Sequence, residues 1–172
     1  MDALAVVLFA LVLFSHSWNL LGKTDLKLPG IIAGTVSIVL ILLIMFKPLN
    51  LMTGASPVSI ALCLVLFTLY AVSLAAIGLW KFDPRLLGYY SALHAFGRLL
   101  LAVSFLSLGG MIGIAASFTQ VILVVLFILL AIHLIITTHP LQKLTGWFFL
   151  IGSVIIFLMQ IMGILGFIKM VA

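Results

Sequence analysis

The stretch VILVVLFILLAIHLII, residues 121–136, has no polar face. A helix on a soluble protein would show a polar stripe at a period of 3.6, and a membrane strand would alternate polar and apolar residues. This stretch does neither, and GTVSIVLILLIMF, residues 34–46, reads the same way. A helix that is apolar all round is buried in protein or in lipid. The rest of the chain decides for lipid. It has 172 residues, 66% of them hydrophobic and 6% charged, with a mean hydropathy of +1.53. A soluble domain has about 45–50% apolar and about 25% charged residues. A chain this apolar cannot cover its surface with polar groups, so the bilayer is its first partner. In hydrocarbon every backbone amide must be paired within the segment, which predicts an all-α integral membrane protein.

Working outward from residues 121–136, six spans of about 20 residues are expected. They are 3–21, 28–46, 58–80, 87–106, 112–137 and 146–167, one six-helix membrane domain over 1–172. The breaks GKTDLKLPG, KPLNLMTGASP, KFDPR, SLGG and THPLQKLTG carry turn residues. Pro29, Pro48, Pro57, Pro84 and Pro140 all lie in or beside them, as a helix interior requires. The first span lacks the basic flank of a cleaved signal peptide and is followed by five like it. Lys23, Lys27, Lys81, Arg85 and Lys143 fall in the odd breaks, against Lys47 and Lys169 on the other side. This asymmetry predicts odd loops in the cytoplasm and both termini outside. The net charge of +5 forms no basic stripe, which argues against nucleic acid as a partner. Cys63 stands alone and reads as a small core residue. VVLFALVL resembles VVLFILLA, and AGTVSIVL resembles IGSVIIFL. A duplicated hairpin and chance matches in apolar text both account for that.

Polarity inside the spans is sparse. Arg98 lies eleven residues beyond Leu87. At about 1.5 Å per residue that is roughly 16 Å deep, near the bilayer centre. A central arginine costs about 2.5–3.5 kcal/mol on insertion scales, so it must face a cavity, find a partner or snorkel. Asp2, Asp25 and Asp83, the only acids, are all expected at interfaces. His94 precedes Arg98 by four and shares its face, with Tyr89 and Tyr90 a turn earlier. These residues are either a satisfied polar cluster with an aromatic belt, or a polar station on a water-filled path. In the first span Val6, Phe9, Leu13 and His16 share a face that turns polar at its end, where Ser15, Ser17 and Asn19 follow. That face is either ordinary packing or one wall of a narrow pore. His133 reads as a satisfied histidine and His139 as a solvated one. The four histidines have no metal-ligand spacing, and no catalytic set or phosphate loop is present, so no metal, cofactor or enzyme activity is expected. Gly30, Gly34 and Ser37 put small residues on one face of the second span, the mark of close helix packing.

Three segments carry a family resemblance: VLFSHSWNLLGKTD, LFTLYAVSLAAIGL and DPRLLGYYSAL. In the third, Asp83, Arg85, Leu87, Gly88, an aromatic pair and Ser91 fall in register with a DxRxLGWFSLF pattern. The chain thus resembles the AmiS/UreI family of urea channels and short-chain amide transporters. The resemblance implies a six-helix protomer enclosing its own pore, a ring hexamer as the homo-oligomer, and passive movement of a small neutral solute. It implies pore positions at Val6, Phe9 and Leu13, at Leu64 and Thr68, and, counting back from LTGW, at Val121, Val124 and Ile128, with Trp147 beyond them. It also implies pairing of Asp83 with Arg85 at the cytoplasmic entry to the fourth span. Apart from the resemblance, in whose pattern Arg98 has no counterpart, a channel would have His94, Arg98 and Tyr90 as its polar station, with water reaching Arg98. The departures are clear: aliphatic residues stand where the family stacks tryptophans, and Gly152 replaces a buried glutamate. Histidine is absent from the outer loops, which argues against acid gating. Two alternatives remain. Arg98 suits a small carboxylate better than an amide, and an aliphatic fifth helix also suits a non-transporting scaffold subunit. A proton-coupled carrier has less support, because no acid lies inside the membrane.

Overall fold

A computed structural model describes residues 3–46, 57–107, 109–136 and 139–164. Among the described residues there are six α-helices and no strand: α1 Ala3–Leu20, α2 Lys27–Phe46, α3 Pro57–Trp80, α4 Pro84–Leu106, α5 Gly110–Ile136 and α6 His139–Ile164. Five of them hold apolar windows long enough to cross a membrane, and α1 adds a shorter apolar stretch, Leu4–Leu20. The helix bounds follow the six expected spans closely, with two exceptions. Helix α4 starts at Pro84 because Asp83 caps it. Its carboxylate accepts the backbone N–H of Arg85 at 2.9 Å, and Pro84 fills the first turn, where no N–H is needed. Asp83 therefore serves the helix terminus, where a side-chain pair with Arg85 was expected. Helix α6 starts at His139, seven residues before the expected Gly146. Pro140 is tolerated in that first turn, and Thr145 donates its hydroxyl back to the Leu141 carbonyl at 2.8 Å.

The helices close into a ring in chain order, α6 returning to α1. The closest neighbours are α4 with α5, α2 with α3, and α1 with α6. Each of these pairs runs antiparallel, since the start of one helix meets the end of the other. Gly30 lies against Gly78, Gly88 against Leu134 and Ile135, and Gly146 against Leu20 and Leu21. Helix α1 also touches α3, which places α2 outside that contact.

Chain turns are made by residues suited to them. Gly22 takes φ 73°, and the amide of Lys23 reaches back to the Trp18 carbonyl at 2.9 Å, which ends α1. At the Gly30–Gly78 crossing a Cβ on Gly78 would stand 2.5 Å from the Leu26 carbonyl oxygen. The small-residue face of α2 therefore packs within this chain, on α3.

The ring is filled. Phe9, Leu13, Phe67, Tyr70, Leu74, Phe127 and Phe149 are fully enclosed. The outside is apolar as well, with Ile38, Phe96, Val103 and Ile114 each at least 60% exposed. Such a surface, unsuited to water, fits a multi-pass membrane protein.

Candidate functional site

The polar groups of the core come largely from the inward faces of the helices. On α4 the buried residues Leu87, Ser91, His94, Arg98, Leu101 and Phe105 follow spacings of four, three, four, three and four. That rhythm keeps them on one side of a helix. Arg98 has no exposed surface at all, and it is the largest fully enclosed side chain.

Its guanidinium is held by neutral acceptors. Nε donates to His94 Nε2 at 2.8 Å. Nη1 donates to Gln120 Oε1 and to Cys63 Sγ, each at 2.9 Å, and Nη2 reaches the Cys63 carbonyl at 3.4 Å. The flat cation also lies over the Phe67 ring, 4.0 Å from its centroid, and 5.8 Å from that of Phe9. A ring face offers it negative quadrupole, so aromatic contact adds to the hydrogen bonds. Guanidinium carries only donors, and four of its five N–H groups find partners here.

Towards the odd-loop end an aromatic column continues from this knot. Phe9 and Phe67 stack with centroids 3.7 Å apart, and His94 stacks on Phe127 at 3.9 Å. Tyr70 meets Phe127 edge-on at 4.9 Å and shares a 2.6 Å hydrogen bond with His16 Nδ1. His16 lies edge-on to Phe149, 5.7 Å away. Tyr90, half-buried, donates to the Leu66 carbonyl at 3.1 Å and ties α4 to α3.

The expected site residues divide. Val6, Phe9, Leu13, His16, Leu64 and Thr68 are buried in the ring, and so are His94 and Arg98. Thr68 returns its hydroxyl to the Leu64 carbonyl at 2.9 Å. On α5 the expected face is wrong. Val121 and Ile128 are each 45% exposed, and Val124 and Ile128 line an outer groove of about 460 Å³ with Phe96 and Leu99. The inward face is Gln120, Leu123, Phe127 and Leu130. Counting back from LTGW assumed a loop that is in fact the start of α6, and each residue of register turns a helix by about 100°. Trp147 is likewise 55% exposed, while Thr145, Phe149, Ser153 and Ile156 point inward on α6. The space that a side chain at Gly152 would need is taken by Leu126, 2.8 Å from a built Cβ.

The expectation that water reaches Arg98 is also corrected. Its partners enclose it, and none of them is an acid. Cys63 is a core residue as expected, but its sulfur and carbonyl both serve the guanidinium. Gln120 escaped notice in the sequence. The signal was a primary amide within a long apolar helix, where a polar group needs a partner.

No family model matches the chain, and no curated protein matches it by sequence. One solved structure does match. The Helicobacter pylori urea channel in its closed state superposes with a TM-score of 0.77, over 96% of this chain and 98% of that one, at 20% identity. The chain has the fold of that channel. The resemblance drawn from DPRLLGYYSAL and its companions is thus met at the level of fold.

Proposed function

We propose that this protein is a membrane channel or facilitator for a small polar solute, of the urea or short-chain amide class, and not an enzyme. The main support is the fold, shared with a urea channel from end to end. The path would follow the axis of each copy, past Val6, Phe9, Leu13 and His16 of α1 and Leu64 and Thr68 of α3. Phe9 and Phe67 would have to part for a solute to pass. The odd connections would face the cytoplasm and both termini the outside, in a bacterial-type inner or plasma membrane. Copies would assemble as a ring hexamer through the apolar outer faces, which include Val121, Val124, Ile128 and Trp147.

The enclosure of Arg98 weighs against a carboxylate as solute, because most of its N–H groups are bound to protein. The same enclosure favours one second reading, a non-transporting membrane subunit whose core is simply packed. Proteoliposome flux separates these readings. Urea and acetamide are expected to enter faster than in empty liposomes, and acetate is not. If only acetate gains, the solute class changes. If nothing gains, the channel reading gives way to the structural subunit.

A further inference from the structure

Two polar atoms on the inward face of α4 stand without partners. Ser91 Oγ and His94 Nδ1 are both buried and unbonded, in residues with no exposed surface. They are three residues apart, hence neighbours on one helix face, about 5–6 Å between their Cβ atoms.

Ser91 breaks a pattern. Ser15, Ser17, Ser37, Ser73 and Ser153 each give their hydroxyl to a carbonyl one turn back in their own helix. Ser91 does not, so its hydroxyl is free both to donate and to accept.

His94 is committed by Arg98. A guanidinium only donates, so Nε2 must hold the lone pair that receives Arg98 Nε–H. The ring is therefore neutral with its proton on Nδ1, and Nδ1–H is a donor aimed at nothing. The cation behind the ring draws electron density toward Nε2 and strengthens that donor. Around it are flat walls: Phe127 stacked on the imidazole, with Tyr90 and Tyr70 edge-on at 5.6 and 6.1 Å.

We propose that Ser91 and His94 form a hydrogen-bonding site for a primary amide. Its carbonyl oxygen takes His94 Nδ1–H and its NH2 group gives a hydrogen bond to Ser91 Oγ. Arg98 is a positioning residue that fixes the histidine tautomer and does not touch the solute. This deepens the channel reading and rests on it for the solute class. An amide supplies both an acceptor and a donor to the pair. A carboxylate could accept from both groups as well, but its full charge would be buried among aromatic rings with no free guanidinium to meet it.

The test uses the full chain in lipid nanodiscs, labelled with 15N-histidine and assigned with His94→Gln. In the wild type, His94 should show a protonated Nδ1 and a bare Nε2. Acetamide should shift the Nδ1 resonance saturably, and Ser91→Ala should weaken that response about tenfold. Arg98→Leu should release the tautomer preference, and Arg98→Lys should restore it in part. An Nδ1 resonance that acetamide leaves unmoved overturns the site, and does so even if proteoliposome flux of acetamide is intact. A saturable shift without any flux keeps the site and removes the channel. A shift with acetate but not acetamide overturns the amide assignment. Should Arg98→Leu not fold, Ser91→Ala still decides, because an unchanged response there removes the serine from the site.

Discussion

Helix α3 meets its two chain neighbours in opposite ways. Against α2 it closes backbone to backbone: a Cβ on Gly30 would stand 2.9 Å from Gly78 Cα, and one on Gly78 would strike the Leu26 carbonyl. Against α4 it is joined by side chains. Arg98 reaches Cys63, Tyr90 reaches the Leu66 carbonyl, and Ser59 and Ser104 share a 2.8 Å hydrogen bond. At the Gly30–Gly78 crossing of the first seam backbone meets backbone, with no side chain between the two helices to rotate away. The second is made of torsions that can change while both helices stay intact. A bundle built this way has a close-packed helix pair, α2 with α3, and a side-chain contact between α3 and α4, where the polar core lies. If the axis opens as the proposed channel function requires, the second seam is where it is expected to do so.

Substitutions distinguish the two seams, and the largest effect is expected at the glycine seam. Gly78→Val forces branched carbons into backbone atoms that cannot yield. It should destabilise the protein by about 3 kcal/mol or more, read as lost thermal stability in detergent micelles. Next comes Gln120→Leu, which leaves Arg98 charged, buried and one acceptor short. A loss of about 1.5–3 kcal/mol is expected. Arg98→Met should cost less than Gln120→Leu or even stabilise, because the charge leaves with the side chain. The reverse order would mean that Arg98 itself anchors the bundle and that the contact between α3 and α4 does not adjust. Tyr90→Phe removes one neutral hydrogen bond between α3 and α4, for about 0.5–1.5 kcal/mol. It should also raise basal solute flux into proteoliposomes, since it loosens the adjustable seam. Gly34→Ala is the smallest change, within about 0.5 kcal/mol. Its Cβ would sit 3.5 Å from the Ala75 Cβ, an ordinary contact. A large loss there would show that the whole length of the α2–α3 seam is glycine-dependent.

Much of the fold could be read from the chain, and the reason is local. Backbone amides in hydrocarbon must pair within a helix, so apolar runs and proline-marked breaks locate six helices without any knowledge of packing. The start of α6 was the main boundary missed. HPLQKLTG looks like a loop by its proline and glycine, but a proline in a first turn loses no hydrogen bond and Gly146 gives closeness to Leu20 and Leu21.

The site was less legible. His94 and Arg98 were visible because a histidine and an arginine four apart are conspicuous in apolar text. Ser91 appeared only as a family-pattern residue. Its free hydroxyl shows only against the bonding of the other helix serines. The inward face of α5 was not legible at all, and counting through a presumed loop chose the wrong side.

What the sequence determined by itself is the solvent, the helices and the presence of one costly charge at mid-depth. These follow from transfer energies and backbone pairing, which act residue by residue. What only the tertiary structure decided is which side of each helix faces the axis and what receives that charge. A helix apolar all round carries no rotational signal, and two of the groups that hold Arg98, Cys63 and Gln120, stand 35 and 22 residues away in the chain. Their meeting depends on how six cylinders close into a ring, a property of the packed whole.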